Sequence, residues 1–154
     1  MIAAVFSDSH GNTENMRRAI ADAAPDCLIH LGDCVRDADE IAREFPQLPL
    51  HAVRGNCDPE GAAPEDELFE LAGLRLFIAH GHRHHVKFGL NAFCNSVHCS
   101  GAALGLFGHT HQAVWKQFGA MQILNPGSVG DPLRPTYALV EIRDGAAFCR
   151  IVEL

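Results

Sequence analysis

Positive charge is scarce in this chain: 12 lysines and arginines stand against 19 aspartates and glutamates, a net charge of −7 with histidine neutral. That balance excludes broad electrostatic binding to nucleic acid or to an anionic membrane. It leaves room for a local cationic site, because bound metals do not enter the count. No apolar run approaches the roughly 18 residues that a membrane-spanning helix needs. Met1 to Phe6 lacks the basic stretch and long apolar core of a secretion signal and reads as a first strand, so the expected location is the cytoplasm. The six cysteines, Cys27, Cys34, Cys57, Cys94, Cys99 and Cys149, include no CxxC spacing. In a cytosolic chain they are expected reduced and mostly buried, not as a disulfide framework. Repeats, low-complexity tracts and linkers are absent as well. The 154 residues suit one cored domain, 1–154, better than two.

Apolar patterning outlines the elements. Residues 2–7 form a strand-length apolar run ending at Asp8, and 11–24 read as a helix capped by Asn12 or Thr13, with Met16, Ile20 and Ala23 on one face. Strands over 27–31 and 49–54 bracket a short helix near 37–44. Strand–helix–strand–helix–strand order implies parallel βαβ units with right-handed crossovers. Beyond them, 67–71 and 74–79 flank Ala72-Gly73, a helix is expected near 87–98, and 103–107 is a buried strand. Hairpins are expected around Gly119-Ala120 and Asp144-Gly145. The C-terminal half is thus expected to be strand-rich and largely antiparallel. Two packed sheets with helices outside follow.

Ten histidines are present, and their placement is informative because histidine is a common metal ligand and acid–base group. Asp8 and His10 follow the first strand, Asp33 the second and Asn56 the third. His80 ends the 74–79 strand; His109 and His111 follow 103–107. Open α/β sheets bind ligands at the carboxyl ends of their strands. Gly11, Gly32, Gly55, Gly81 and Gly108 sit beside these residues, where sharp turns and close backbone approach are needed. Singly, each residue is more simply a turn or cap residue. Together they fall at the same sheet edge on five separate strands. The donors are two carboxylates, four imidazoles and one amide oxygen, a mixture suited to Mn²⁺, Fe, Zn²⁺, Co²⁺ or Ni²⁺ over Ca²⁺ or a structural zinc. Seven donors exceed one tetrahedral site; with one carboxylate shared they make two sites. Two cations against two carboxylates leave a positive centre fit for a phosphate.

In order, Asp8-Ser9-His10-Gly11-Asn12, Gly32-Asp33-Cys34, Gly55-Asn56-Cys57-Asp58, His80-Gly81-His82 and Gly108-His109-Thr110-His111 resemble the motifs of the calcineurin-like metallophosphoesterases. Asn125-Pro126-Gly127-Ser128 and the compact length look like its small YfcE-type branch. The resemblance implies an α/β protein, a four-layer αββα sandwich of two mixed sheets. It implies two divalent ions, most often Mn²⁺, with Asp8, His10 and His111 on one, Asn56, His80 and His109 on the other, and Asp33 between them. The expected activity is hydrolysis of a small phosphoester substrate, a diester in preference to a monoester. One departure stands out. Many relatives place a histidine after the Asn ligand, and this chain has Cys57, a poor proton donor near neutral pH. His82, Arg36, Arg83 and His84 lie beside the ligands as candidate phosphate contacts, as does Asn56 itself. Asp37 and Asp58 are candidates to orient ligand imidazoles. His30, His51, His85 and His98 read as structural or surface residues. Three alternatives stay open: a phosphomonoesterase or nucleotidase on the same site, a scaffold like the retromer subunit of this fold, and a sensor that binds without turnover. A homodimer through exposed strand edges stays open too.

Overall fold

The computed structural model describes residues 1–154. Alternation of side chains along the strands explains its layers. In β1 (Ile2–Phe6), Ala3 and Val5 face one way and Ala4 and Phe6 the other, and all four are fully buried. A strand buried on both faces needs a layer on each side. Ala4 and Phe6 pack with Met16, Ala19 and Ile20 of α1 (Thr13–Ala23) and Ile41 of α2 (Val35–Glu44). Ala3 and Val5 meet Leu76 and Ile78 of β5 (Leu74–Ala79) and Leu104 and Leu106 of β6 (Leu104–Phe107). The opposite face of that second sheet, through Phe77, Ala79, Phe107 and Ile123, is covered by Phe93 and Val97 of α3 (Asn91–Cys99). The result is the expected helix–sheet–sheet–helix stack.

The first sheet has β2 (Cys27–His30) and β3 (Leu50–Ala52) parallel to β1 on one side. On the other side the antiparallel hairpin of β9 (Thr136–Arg143) and β10 (Ala146–Glu153) completes the order β10-β9-β1-β2-β3. The second sheet runs β4-β5-β6-β8-β7, with β4 (Asp66–Leu71), β7 (Val114–Phe118) and β8 (Met121–Asn125). Its centre corrects the antiparallel expectation: β5, β6 and β8 are parallel, and only its outer pairings, β4 with β5 and β7 with β8, are antiparallel. The hairpin turns draw the reading toward antiparallel pairing, although the strand–helix–strand order of β5, α3 and β6 is that of a parallel unit.

The α3 boundary is the second correction. The helix covers 91–99, while His82–His84 form a short 3₁₀ turn before it. His85 at φ 52° and Gly89 at φ 153° break right-handed helix between the two. Asn12 caps α1 through Oδ1, which accepts from the Asn15 N–H at 3.2 Å, and Pro25 follows the left-handed Ala24 at its end. The parallel strands β1, β2, β5 and β6 all present their carboxyl ends to one edge of the sandwich, and the chain's polar loops gather there.

Candidate metal centre

Five of the ten non-glycine residues with positive φ are candidate ligands: Asp8 (53°), His10 (46°), Asp33 (57°), His109 (66°) and His111 (57°). Left-handed backbone costs a residue with a Cβ roughly 1–2 kcal/mol and persists only where the surroundings impose it. Here three loops impose it at one edge. The Asp8 N–H donates to Gly32 O at 3.0 Å, and the Gly108 N–H to His80 O at 3.0 Å. Glycine permits the close packing: a methyl group on Gly55 would overlap Asp33 Oδ1, and one on Gly108 would overlap Ser7 Oγ.

Two groups of donor atoms result. Asp8, Asp33 and His80 form a buried one; Asp8, His10 and His111 form a more exposed one. Asp8 Oδ1 is 3.1 Å from His111 Nε2 and 4.0 Å from His80 Nε2, and Asp33 Oδ1 is 3.6 Å from His80 Nε2. His109 Nδ1 lies 3.2 Å from His80 Nε2, and the Nε2 atoms of His10 and His111 are 3.5 Å apart. The carboxylate common to both groups is Asp8, whereas the resemblance implied Asp33.

The donor set fits a cation. His80 Nδ1 donates to Leu31 O at 2.7 Å, which turns the lone pair of Nε2 toward the two buried carboxylates. Asp8 Oδ2 accepts from Ser7 Oγ at 2.5 Å and from the His109 N–H at 3.1 Å, but Asp8 Oδ1 is buried without a hydrogen bond. Its near neighbour is His111 Nε2 at 3.1 Å, and a buried carboxylate oxygen facing imidazole nitrogens is a ready ligand for a metal ion. Burial alone would raise the Asp8 carboxyl, yet His111, His80 and Ser7 hold it below the ordinary carboxylate range. Burial beside His80 lowers His109 to about 4, so this imidazole is neutral near pH 7 and free to ligate. His111 moves up instead, because it faces Asp8.

The remaining candidates fare differently. Asn56 is exposed on the loop after β3, and its Nδ2 turns to Cys57 Sγ at 3.4 Å. Its neighbour binds the site through the backbone: the Cys57 N–H donates to Asp33 Oδ1 at 2.9 Å. Burial and the Asp33 carboxylate push the Cys57 thiol up to about 11, which suits neither a nucleophile nor a metal ligand near neutral pH. His82 sits 3.8 Å and Arg83 3.3 Å from Glu65, while Arg36 is exposed with only a 3.7 Å contact to Asp37. His84 sets its ring edge-on to Phe77 and Phe93 and lines a recess with His82 and Arg83. Asp37 and Asp58 touch no ligand imidazole. Asp37 Oδ2 accepts from Ser9 Oγ and the Gly11 N–H, and Asp58 accepts from the N–H groups of Cys34, Val35 and Gly55. Both carboxylates hold ligand-bearing loops by their backbones.

Sequence reasoning missed a supporting layer. His30 is fully buried; its Nε2 contacts Ser9 Oγ at 3.2 Å, and Nδ1 accepts from the Gly32 N–H at 3.3 Å. Ser128 Oγ donates to Asp8 O at 2.8 Å, and Asn125 Nδ2 donates to Gly108 O at 2.8 Å. Of these, only Asn125 and Ser128 had a signal, in their Asn-Pro-Gly-Ser turn.

The chain is similar to known proteins over most of its length. A protein of Bacillus subtilis named a probable metallophosphoesterase, YsnB, is 31% identical over 155 residues, covering 97% of this chain and 89% of its own. The phosphodiesterase YfcE of Escherichia coli is 30% identical, with 82% of this chain and 78% of its own covered. A solved structure from Streptococcus pneumoniae, described as a predicted phosphoesterase, superposes with a TM-score of 0.81 at 26% identity over 99% of this chain and 88% of that one. The calcineurin-like phosphoesterase superfamily domain matches residues 1–145, the stretch that carries every donor described above, and the chain belongs to that superfamily.

Proposed function

We propose that the protein hydrolyses phosphodiesters with the help of two divalent cations held by Asp8, His10, Asp33, Asn56, His80, His109 and His111. The observation that carries this reading is the convergence on Asp8 of two donor groups, a buried one with Asp33 and His80 and a more exposed one with His10 and His111, whose ligand atoms lie within reach of a common ion. Bound cations would activate water and offset charge on the phosphoryl oxygens. The chain's own residues prepare that chemistry. Ser7 and the His109 N–H fix one oxygen of Asp8 and leave the other for ligation. Leu31 O fixes the His80 ring, and the Cys57 N–H fixes Asp33. Asn56, on the exposed loop after β3, is proposed to complete a ligand set and to touch the ester. Arg36, Arg83 and His82 are the nearby groups for phosphate oxygens. Manganese is the proposed ion, on the mixed nitrogen and oxygen donors. The six unpaired cysteines support a cytoplasmic setting.

A diester is favoured over a monoester because no imidazole follows Asn56 to protonate a leaving group. A scaffold role is disfavoured by seven donor positions that all carry ligand-type residues. The test is hydrolysis of phosphodiesters, phosphomonoesters and cyclic nucleotides by manganese-loaded protein. Diester cleavage is expected, and Asp33→Asn is expected to lose roughly a hundredfold or more, on the scale of removing a group essential to charge stabilisation. Equal rates in wild type and variant would refute the mechanism; faster monoester turnover would overturn the substrate preference.

A further inference from the structure

Three recesses border the donor-bearing loops; the smallest, about 280 Å³ beside Thr110 and Gln112, falls just under the usual size for an organic group, and the other two differ in chemistry. The one beside β5 has about 290 Å³ and no apolar lining residue; there Glu65 pairs with Arg83 at 3.3 Å and faces His82 at 3.8 Å. The one beside β2 and β3 is larger, about 500 Å³, with half its lining residues apolar. It adjoins the metal centre directly: Cys34 follows Asp33 in the chain, and the Cys57 N–H is bonded to Asp33 Oδ1. An ester held at the cations therefore has one arm with somewhere to go. Sites for organic groups commonly span about 300–1,000 Å³, so the recess beside β2 and β3 can hold a nucleoside-sized group, while the one beside β5 is at the lower limit.

The lining says what kind of group. Val35, Pro59 and Ala62 offer apolar surface, and the thiols of Cys34 and Cys57 are soft and polarisable. Arg36 projects from the first turn of α2 with its side chain 82% exposed and only a 3.7 Å contact to Asp37, so its flat guanidinium is available to lie on a ring. Asp39, one turn further along α2, can accept from an N–H or a sugar hydroxyl. Asp58 is fully engaged by backbone N–H groups. Two carboxylates against one guanidinium leave the recess net negative, which opposes a second phosphate on the arm.

We infer that this recess between β2, β3 and α2 is a substrate subsite for an uncharged, ring-bearing ester arm of nucleoside size, with Arg36, Asp39 and Ala62 setting the preference. The inference rests on the phosphodiesterase reading of the neighbouring centre. Two p-nitrophenyl esters with the same leaving group test it in manganese-loaded protein: that of thymidine 5′-phosphate and that of methyl phosphate. Wild type is expected to favour the thymidine ester at least tenfold in kcat/KM. Ala62→Trp, which fills the recess from an exposed loop, is expected to bring that ratio toward one, and Asp39→Asn to lower it. A third ester with an added 3′-phosphate on the thymidine is expected to react more slowly than its parent. A wild-type ratio near one, or an unchanged ratio in Ala62→Trp, would overturn the assignment.

A second readout needs no turnover. Thymidine 5′-monophosphate is expected to bind at least tenfold more tightly than methyl phosphate in isothermal titration calorimetry, and Ala62→Trp to remove that difference. Equal affinity for both compounds, no measurable binding of either, or an unchanged difference in the variant would overturn the subsite. If neither ester is cleaved, the hydrolase reading falls by itself, and the binding result then decides the recess alone.

Discussion

His30 shows how a side chain outside the donor set shapes the centre. It is buried in full, and burial lowers its pKa to about 4. A neutral ring can accept from the Gly32 N–H while its Nε2–H donates to Ser9, whose hydroxyl in turn donates to Asp37. The unfolded chain takes up the proton near pH 6.5, the folded protein only near pH 4. The unfolded state therefore binds more protons in that interval, so stability falls as pH drops through it. The difference corresponds to about 3 kcal/mol at full development. Urea unfolding between pH 7 and pH 4 should show this loss, and His30→Gln should make it shallower in metal-free protein, the remainder including His109, which is also lowered to about 4. An unchanged pH profile in the variant would remove His30 as the cause. Its place inside the apolar strand 27–31 pointed to burial, but its contacts with Ser9 and Gly32 depend on loops that the strand pattern does not show. The candidate ligands stood out for a different reason: each ends a strand or lies in the loop just after one, so local order alone places it near the sheet edge.

Among the elements, α2 depends on one residue from another loop. Asp58 lies after β3, yet its carboxylate accepts the Cys34 and Val35 N–H groups at the start of α2 and the Gly55 N–H, each at 2.8 Å. It caps the helix where the backbone leaves donors unpaired and puts negative charge at the positive helix end. It also ties the Asp33 loop to the Asn56 loop. Asp58→Ala would strand buried donors at about 1–3 kcal/mol each. A loss of about 3 kcal/mol in urea unfolding is expected, with weaker catalysis because Asp33 loses its fixed neighbour. Asp58→Asn, which keeps an acceptor oxygen, should recover part of both; no difference between Ala and Asn would mean that the capping bonds contribute nothing. The sequence showed α2 but not this tether, since a hydrogen bond across 23 residues has no periodicity. The same blindness explains α3 and the second sheet. Apolar spacing near 87–98 could not register the positive φ of Gly89, and buried strands such as Leu104–Phe107 look alike in parallel and antiparallel pairs.

At the scale of the molecule, the fold holds two carboxylates and facing imidazole nitrogens close together at the edge of a protein of net charge −7. That grouping exists only when β1, β2, β5 and β6 have aligned their carboxyl ends, so the unfolded chain offers no comparable site. A cation that binds the folded state alone stabilises it by about 2.7 kcal/mol at a hundred times its Kd. For a chain of this size, each kcal/mol moves the thermal midpoint by about 2–4 °C. Manganese is therefore expected to raise the midpoint of chelator-treated protein by roughly 5–10 °C. Ca²⁺ should do less, because it prefers oxygen ligands and four of the seven donors are imidazoles. Asp8→Asn should abolish most of the manganese shift, since Asp8 belongs to both donor groups. Asp37→Asn, outside those groups, should keep the shift even if its own midpoint is lower. If manganese left the wild-type midpoint where it was, the seven residues would be neighbours without being ligands.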